Sequence, residues 1–292
     1  MVDLALKRPE RDPVRSYRGR SPVSRGLLYL AAFAVLGSII IPVAYAVLGG
    51  FRDSAQLAGN PVAFPDPWIF TNYLEVLGSG SFWNQVWNST SIAGMTVLLV
   101  LPSASLAAFV ISRFSFAGRE GVYALFTLGL LFPVAVAILP LFIVIRQFDL
   151  LNTTFGVVLP QVAFQLPLSI VILRPFFASI PRELEEAAIL DGAGSLRFYW
   201  SVLLPLSRPV MSTIAVLTVV TSWNAFLLPL VVLTDSAGWT LPIGVTNYST
   251  QYTTDTARVL AYTTLAMIPA LLFYAVAERQ IVRGIAAKGI KG

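Results

Sequence analysis

The 292-residue chain contains no cysteine and no histidine. Disulfides and thiolate chemistry are therefore excluded, and the commonest metal ligand and proton shuttle is missing. Lysine is nearly absent: Lys7, Lys288 and Lys291 are the only three, and none stands in a Gly-x-x-x-x-Gly-Lys-Ser/Thr setting. The chain thus has no phosphate-binding loop and is no Walker-type ATPase. Charge is scarce too, at 12% of residues against 56% hydrophobic, with a mean hydropathy of +0.75. A soluble globular protein is not built this way, so the chain is read as an integral membrane protein. Its net charge of +5 is no nucleic-acid signal, because the basic residues sit at the ends and in loops rather than on one face.

Six uncharged or nearly uncharged stretches are long enough to span a bilayer, since about 20 residues at roughly 1.5 Å each cover the hydrocarbon core. They fall at about residues 27–48, 88–112, 121–145, 155–178, 209–233 and 259–278. The first resembles a signal peptide ending at Ala44-Tyr45-Ala46, but its apolar run is too long, so it reads as a retained helix. Pro133 and Pro140 are expected to kink the third span, either around a cavity or as ordinary prolines of a membrane helix. Arg174, near the end of the fourth, is expected to snorkel to the headgroups. Seventeen of the twenty basic residues fall on one side of this arrangement, leaving Arg52, Arg146 and Arg258 on the other. The asymmetry predicts that both termini are cytoplasmic. The span interiors hold no acidic residue, which disfavours an autonomous proton-coupled carrier and leaves sodium coupling open.

One aqueous stretch, Pro181 to Pro209, concentrates four of the fifteen acidic residues. Pro181 suits a first helical position, and Glu183, Glu185 and Glu186 complement the positive end of a helix dipole. Ile180, Leu184, Ala187, Ala188 and Leu190 keep a narrow apolar side, and Asp191-Gly192 breaks the helix. A second helix through Phe198, Tyr199, Trp200 and Val202 to Leu204 is expected to end or kink at Pro205. On residues alone this is an acidic interfacial hairpin, although interfacial helices usually carry Lys and Arg.

Glu186-Ala187-Ala188, Gly192 and Val202-Leu203-Leu204-Pro205 at these spacings resemble the EAA loop of permease subunits in binding-protein-dependent ABC importers. Weaker patches resemble the carbohydrate branch, of the maltose-permease second-subunit type. They are Asn88-Ser89, Arg113-Phe114 through Gly118-Arg119, Trp223-Asn224-Ala225-Phe226-Leu227-Leu228-Pro229, Trp239 to Gly244, and the ending from Arg279 to Gly292.

The resemblance implies an all-α, six-span type I ABC importer permease fold in the inner or plasma membrane of a prokaryote. It divides the chain into a basic tail at 1–26, a first transmembrane helix at 27–48, an external loop at 49–87, a permease core at 88–281 and a C-terminal tail at 282–292. The core would hold a coupling loop at 179–208 and an external scoop-like loop at 234–258.

The coupling contacts implied are Glu186, Ala187, Ala188, Asp191, Gly192, Leu204 and Pro205. Tyr248, Ser249, Gln251 and Tyr252 of the outer loop suit a polyol, or form an ordinary polar loop. Trp223 and Asn224 either face the solute path or bond a neighbouring helix. The implied partners are a second permease, an ABC ATPase dimer that carries ATP and Mg²⁺, an extracytoplasmic solute-binding protein, the bilayer and a sugar, expected to be a di- or oligosaccharide. No nucleic acid, metal, bound cofactor or catalytic residue is expected on this chain. Two alternatives stay open, a non-sugar ABC permease and an ATP-independent secondary carrier.

Overall fold

A computed structural model describes residues 22–249 and 254–286, with side chains for 26–249 and 254–275. Gln251, Tyr252 and most of the basic tail lie outside the described residues. The chain divides into two compact units, Met1–Tyr45 and Ala46–Gly292. Described residues of the first belong to α1 (Pro22–Gly49), which is uncharged from Leu27 onward.

In the second unit the elements run α2 (Ser54–Gly59), α3 (Thr71–Gly78), α4 (Gly80–Arg113), α5 (Arg119–Gly129), α6 (Val134–Gln147), α7 (Thr154–Ser179) and α8 (Arg182–Leu190). They continue with α9 (Ser195–Phe198), a π-helical turn at Tyr199–Leu203, α10 (Leu204–Leu206), α11 (Arg208–Trp223), α12 (Leu227–Val232), α13 (Leu241–Gly244) and α14 (Thr256–Ala286). The β pairing among the described residues is one antiparallel bridge, Ser249 with Thr254. Four helices are long and apolar enough to cross a membrane, and two bent pairs qualify as spans when each is taken together, which makes six.

Proline chemistry explains both bent pairs, and the bend before Val134 meets the kink expected at Pro133. The third span breaks by 100° between α5 and α6. Pro133 lacks the N–H that a continuous helix needs, and it pushes the preceding residue out of helical geometry. Pro140 stays within α6 without a break. At the start of the fifth span, α9 through α10 meets α11 at 76°, and the break falls at Ser207 rather than at Pro205. Pro209 cannot donate to the turn before it. The buried Ser207 instead satisfies the helix end, its N–H reaching the carbonyls of Leu203 and Leu204 at 3.0 Å and its hydroxyl donating to Leu203 at 2.6 Å.

The fifth span also stops early, at Trp223, and resumes only at Leu227. Pro229 would leave the Ala225 carbonyl without a partner, while the Asn224 side chain donates to the Val220 carbonyl at 2.8 Å and so competes with the ladder. The second span is longer than expected, because Ser79 caps a helix start eight residues before Asn88 by accepting from the Phe82 N–H at 3.3 Å.

Three apolar clusters occupy successive levels of the bundle. At the Arg113 end of α4, Ala104, Ala108 and Phe109 pack against Ile170, Leu173 and Phe177 of α7, Phe198, Tyr199 and Leu203 of the hairpin, and Ile214 of α11. In the middle, Ile92 meets Val157, Val158, Leu228 and Val232. At the opposite end Val76, Phe82, Leu241, Tyr262 and Leu265 close together. Lipid is as apolar as these side chains, so close van der Waals fit rather than water exclusion is the main force holding the levels.

Candidate functional site

The acidic stretch folds as a hairpin with two unlike halves. Pro181 stands just outside the first helix, at ψ 138°, and α8 begins at Arg182, one residue later than expected. Its last turn closes as a Schellman motif: the Ala193 N–H bonds the Ala188 carbonyl at 2.8 Å and the Gly192 N–H bonds Ile189 at 2.9 Å. The motif needs a residue of positive φ, and Gly192 supplies it at +77°. A Cβ there would meet nothing within 4 Å, so conformation rather than space requires the glycine.

α8 contributes no buried residue. Glu186, Ala187, Asp191 and Gly192 are exposed, Leu190 is 88% exposed, and Ala188 touches the first cluster from a half-buried position. The second half does the opposite. Phe198, Tyr199 and Leu203 are at most 1% exposed, and the Tyr199 and Ser105 hydroxyls bond at 2.7 Å. Leu204 packs half-buried on the cluster, while Pro205 and Trp200 face out. The hairpin therefore presents an acidic, small-residue surface from a base fixed in the bundle.

Arg113, read from the sequence as a marker of sidedness and as part of a family-like patch, lies under this hairpin. Its guanidinium donates to the carbonyls of Phe177 and Ile180, both at 2.8 Å, and meets Glu185 at 3.4 Å. Arg174, expected to reach toward the headgroups, has partners within the chain. It pairs with Glu120 and stacks on Tyr123, its guanidinium carbon 3.9 Å from the ring centre, tying α5 to α7.

The Trp223–Asn224 break lies between two cavities of about 540 and 560 Å³. Trp223 lines the first and packs half-buried toward the Tyr262 cluster, whereas Asn224 lines both and bonds its own helix rather than a neighbouring one. The second cavity also takes in Gln161, Gln165, Phe164 and Phe226. Gln161 accepts the hydroxyls of Thr96 at 3.1 Å and Ser222 at 2.6 Å, yet its amide nitrogen is buried without a partner. Turning the amide over would merely orphan the other end. Gln161 and Gln165 had a legible signal, two amides four apart in an apolar span.

The outer loop is fastened rather than free. Asn84 and Asn88 both donate to the Ala237 carbonyl, at 2.7 and 2.8 Å, and Asn88 also reaches Trp239 at 3.0 Å. Ser89 accepts the Leu241 N–H at 2.9 Å, and Asn152 accepts from Thr234 and Asp235 at 3.0 and 2.9 Å. Gly244 lies so close to Tyr262 and Gln85 that a Cβ would fall 2.1 and 2.3 Å from their oxygens. Tyr248 rests against Tyr262 with ring centres 5.6 Å apart, and Ser249 is exposed in the bridge. No cluster of acidic, Cys or His ligands fit to hold a metal occurs among the described residues.

Comparison with known proteins gives this geometry its context. Residues 100–285 match the family described as "Binding-protein-dependent transport system inner membrane component". The chain is 34% identical to the diacetylchitobiose uptake system permease protein NgcG of Streptomyces coelicolor, over 92% of this chain and 89% of that one. It is 28% identical to the arabinooligosaccharides transport system permease protein AraQ of Halalkalibacterium halodurans, over 94% and 99%. A crystal structure of a bacterial ABC transporter involved in the import of alginate superposes with a TM-score of 0.77 over 90% of this chain and 98% of that one, at 22% identity, a likeness of fold. With its helical spans, broken fifth span and exposed acidic hairpin, the chain belongs to the family of binding-protein-dependent transport system inner membrane components, and is a multi-pass permease of the ABC importer class.

Proposed function

We propose that this permease, together with a second permease, forms the path for a carbohydrate, a di- or oligosaccharide released by an extracytoplasmic binding protein. A cytoplasmic ATPase dimer holding ATP and Mg²⁺ drives it through the hairpin from Pro181. Both termini lie in the cytoplasm in this reading, and residues 88–281 form the working core behind the 27–48 helix and the 49–87 external loop. Glu186 offers the ATPase a carboxylate with no ion pair of its own among the described residues. Ala187 and Ala188 allow close approach, and Asp191-Gly192 sets the turn, with Leu204 and Pro205 at its base.

The observation that carries the substrate class is the cavity beside the broken fifth span. Gln161, Gln165 and Asn224 offer amides to hydroxyl groups there, and Phe164 and Phe226 offer ring faces to a pyranose. Broken helices near mid-membrane are where transporters commonly place their solutes. The relatives named for diacetylchitobiose and arabinooligosaccharides support the same class. On the outer side, Tyr248 and Ser249, with Gln251 and Tyr252 beyond the described residues, complete the hand-over loop.

The test is ATP-dependent uptake of labelled disaccharides by proteoliposomes holding the purified complex and its binding protein. Uptake is expected for the sugar that the binding protein retains, and Gln161→Leu with Asn224→Leu is expected to abolish it while stimulated ATP hydrolysis persists. Undiminished uptake by that double variant overturns the assignment of the path.

A further inference from the structure

We infer that Arg113 is a positioning residue for coupling, the tie that makes the exposed helix α8 move as one piece with α4 and α7; this rests on the reading of the hairpin as the ATPase contact. α8 buries no side chain, so apolar packing alone gives it little hold on the bundle. The polar hold is concentrated in one residue. Arg113 is the last residue of α4, and its side chain is 3% exposed. From that position one terminal nitrogen bonds the carbonyls of Phe177, in the last turn of α7, and Ile180, its cap, both at 2.8 Å. The other faces the Glu185 carboxylate at 3.4 Å, and the guanidinium carbon lies 6.0 Å from the centre of the Phe198 ring. One planar group therefore meets the ends of two spanning helices and both halves of the hairpin.

The chemistry suits a rigid joint. The last carbonyls of a helix have no partner within it and carry the negative end of its dipole, so a buried cation there is doubly favoured. Charge-assisted bonds are short and strong, and the guanidinium fork fixes several directions at once. Lysine would supply the charge but not the fork. Were this joint loosened, α8 could be displaced without carrying α4 and α7 along, and ATP would be spent without movement of the spans.

The experiment uses the complete complex in proteoliposomes and reads ATP hydrolysed per sugar transported. Arg113→Gln and Arg113→Lys are each expected to retain the ATPase on co-purification and to raise that ratio about tenfold, within the usual range of inter-site coupling. Glu185→Gln, which removes only the 3.4 Å contact, is expected to raise it less. An unchanged ratio in assembled Arg113→Gln and Arg113→Lys complexes overturns the inference.

If Arg113→Gln fails to accumulate, spin labels at the exposed positions Ile189 and Val110 of the Arg113→Lys complex decide the matter. A broadened distance distribution supports the tie, and one as narrow as in the native complex overturns it. Failure of the underlying reading looks different, because the native complex would then show no ATP-dependent uptake at all.

Discussion

The two polar excursions at opposite ends of α4 are held to the bundle in opposite ways. The loop after α12 is stitched down by Asn84, Asn88, Ser89 and Asn152 and wedged at Gly244 against Tyr262 and Gln85. α8 stands clear of the bundle, and Arg113 holds it through Glu185 at 3.4 Å and through the Ile180 carbonyl just ahead of it. The loop expected to be scoop-like is thus tied down by many hydrogen bonds, at least through Ser249, and the acidic helix is the one with a bare working surface. A surface that must fit a moving partner gains from few ties of its own, whereas a loop that must present fixed chemistry to a path gains from many.

Substitutions at the two ends should separate these roles. Gly244→Val should have the largest effect, because its Cβ cannot be placed without shifting Tyr262 and Gln85, a buried pair whose hydroxyl and amide bond at 2.7 Å. Overpacking of this kind costs about 1–3 kcal/mol or more, so membrane levels and the melting temperature in detergent should both fall sharply. Gly192→Asp comes next. It forces a non-glycine residue to a φ of +77° at a cost of about 1–2 kcal/mol, localised to the exposed turn. Protein should remain in the membrane at near-normal levels while uptake is lost.

Asn88→Ala removes two bonds to the loop, each worth about 0.5–1.5 kcal/mol net, and should lower the melting temperature by a few degrees while trypsin cleaves more readily after Arg258. Glu186→Lys should be the mildest for the fold. The residue is exposed and outside every ion pair among the described residues, so a stability change within about 0.5 kcal/mol is expected, with transport uncoupled from ATP hydrolysis in vesicles. Should Glu186→Lys unfold the protein or Gly244→Val leave it untouched, the contrast between the two ends would be wrong.

What the sequence made legible follows from how local the signal was. The six apolar stretches and the Asp191-Gly192 turn are written in runs of neighbouring residues, and spanning helices cover them, although α4 starts earlier, α8 later and the fifth span stops sooner than expected. The bend at Pro133 was legible as a proline kink, whereas Pro140 leaves its helix unbroken, the break expected at Pro205 falls at Ser207, and the one at Asn224–Phe226 was missed. A proline tells which N–H is absent, but neighbours such as the Ser207 hydroxyl decide where the ladder yields. Arg113 looked like a topology marker because its partners, two backbone carbonyls 64 and 67 residues away, leave no trace in side-chain identity. The partner of Arg174 was illegible for the same reason, Glu120 being 54 residues distant. Gln161 and Gln165 were visible as amides in an apolar run, but only the folded chain shows that one of them keeps an unpaired buried nitrogen.

The wide turn at Tyr199–Leu203 has a bearing on how such a chain can vary. A π-helical turn is an α-helix carrying one surplus residue, and it points successive side chains differently from its flanks: Tyr199 and Leu203 inward, Trp200 and Ser201 outward. Deleting that surplus residue would tighten the coil by one step and shorten the interval from Gly192 to Pro205. The swelling is therefore part of the ruler that sets how far the acidic helix stands from its anchor, so kindred chains should carry neither gap nor insertion at this point of the hairpin.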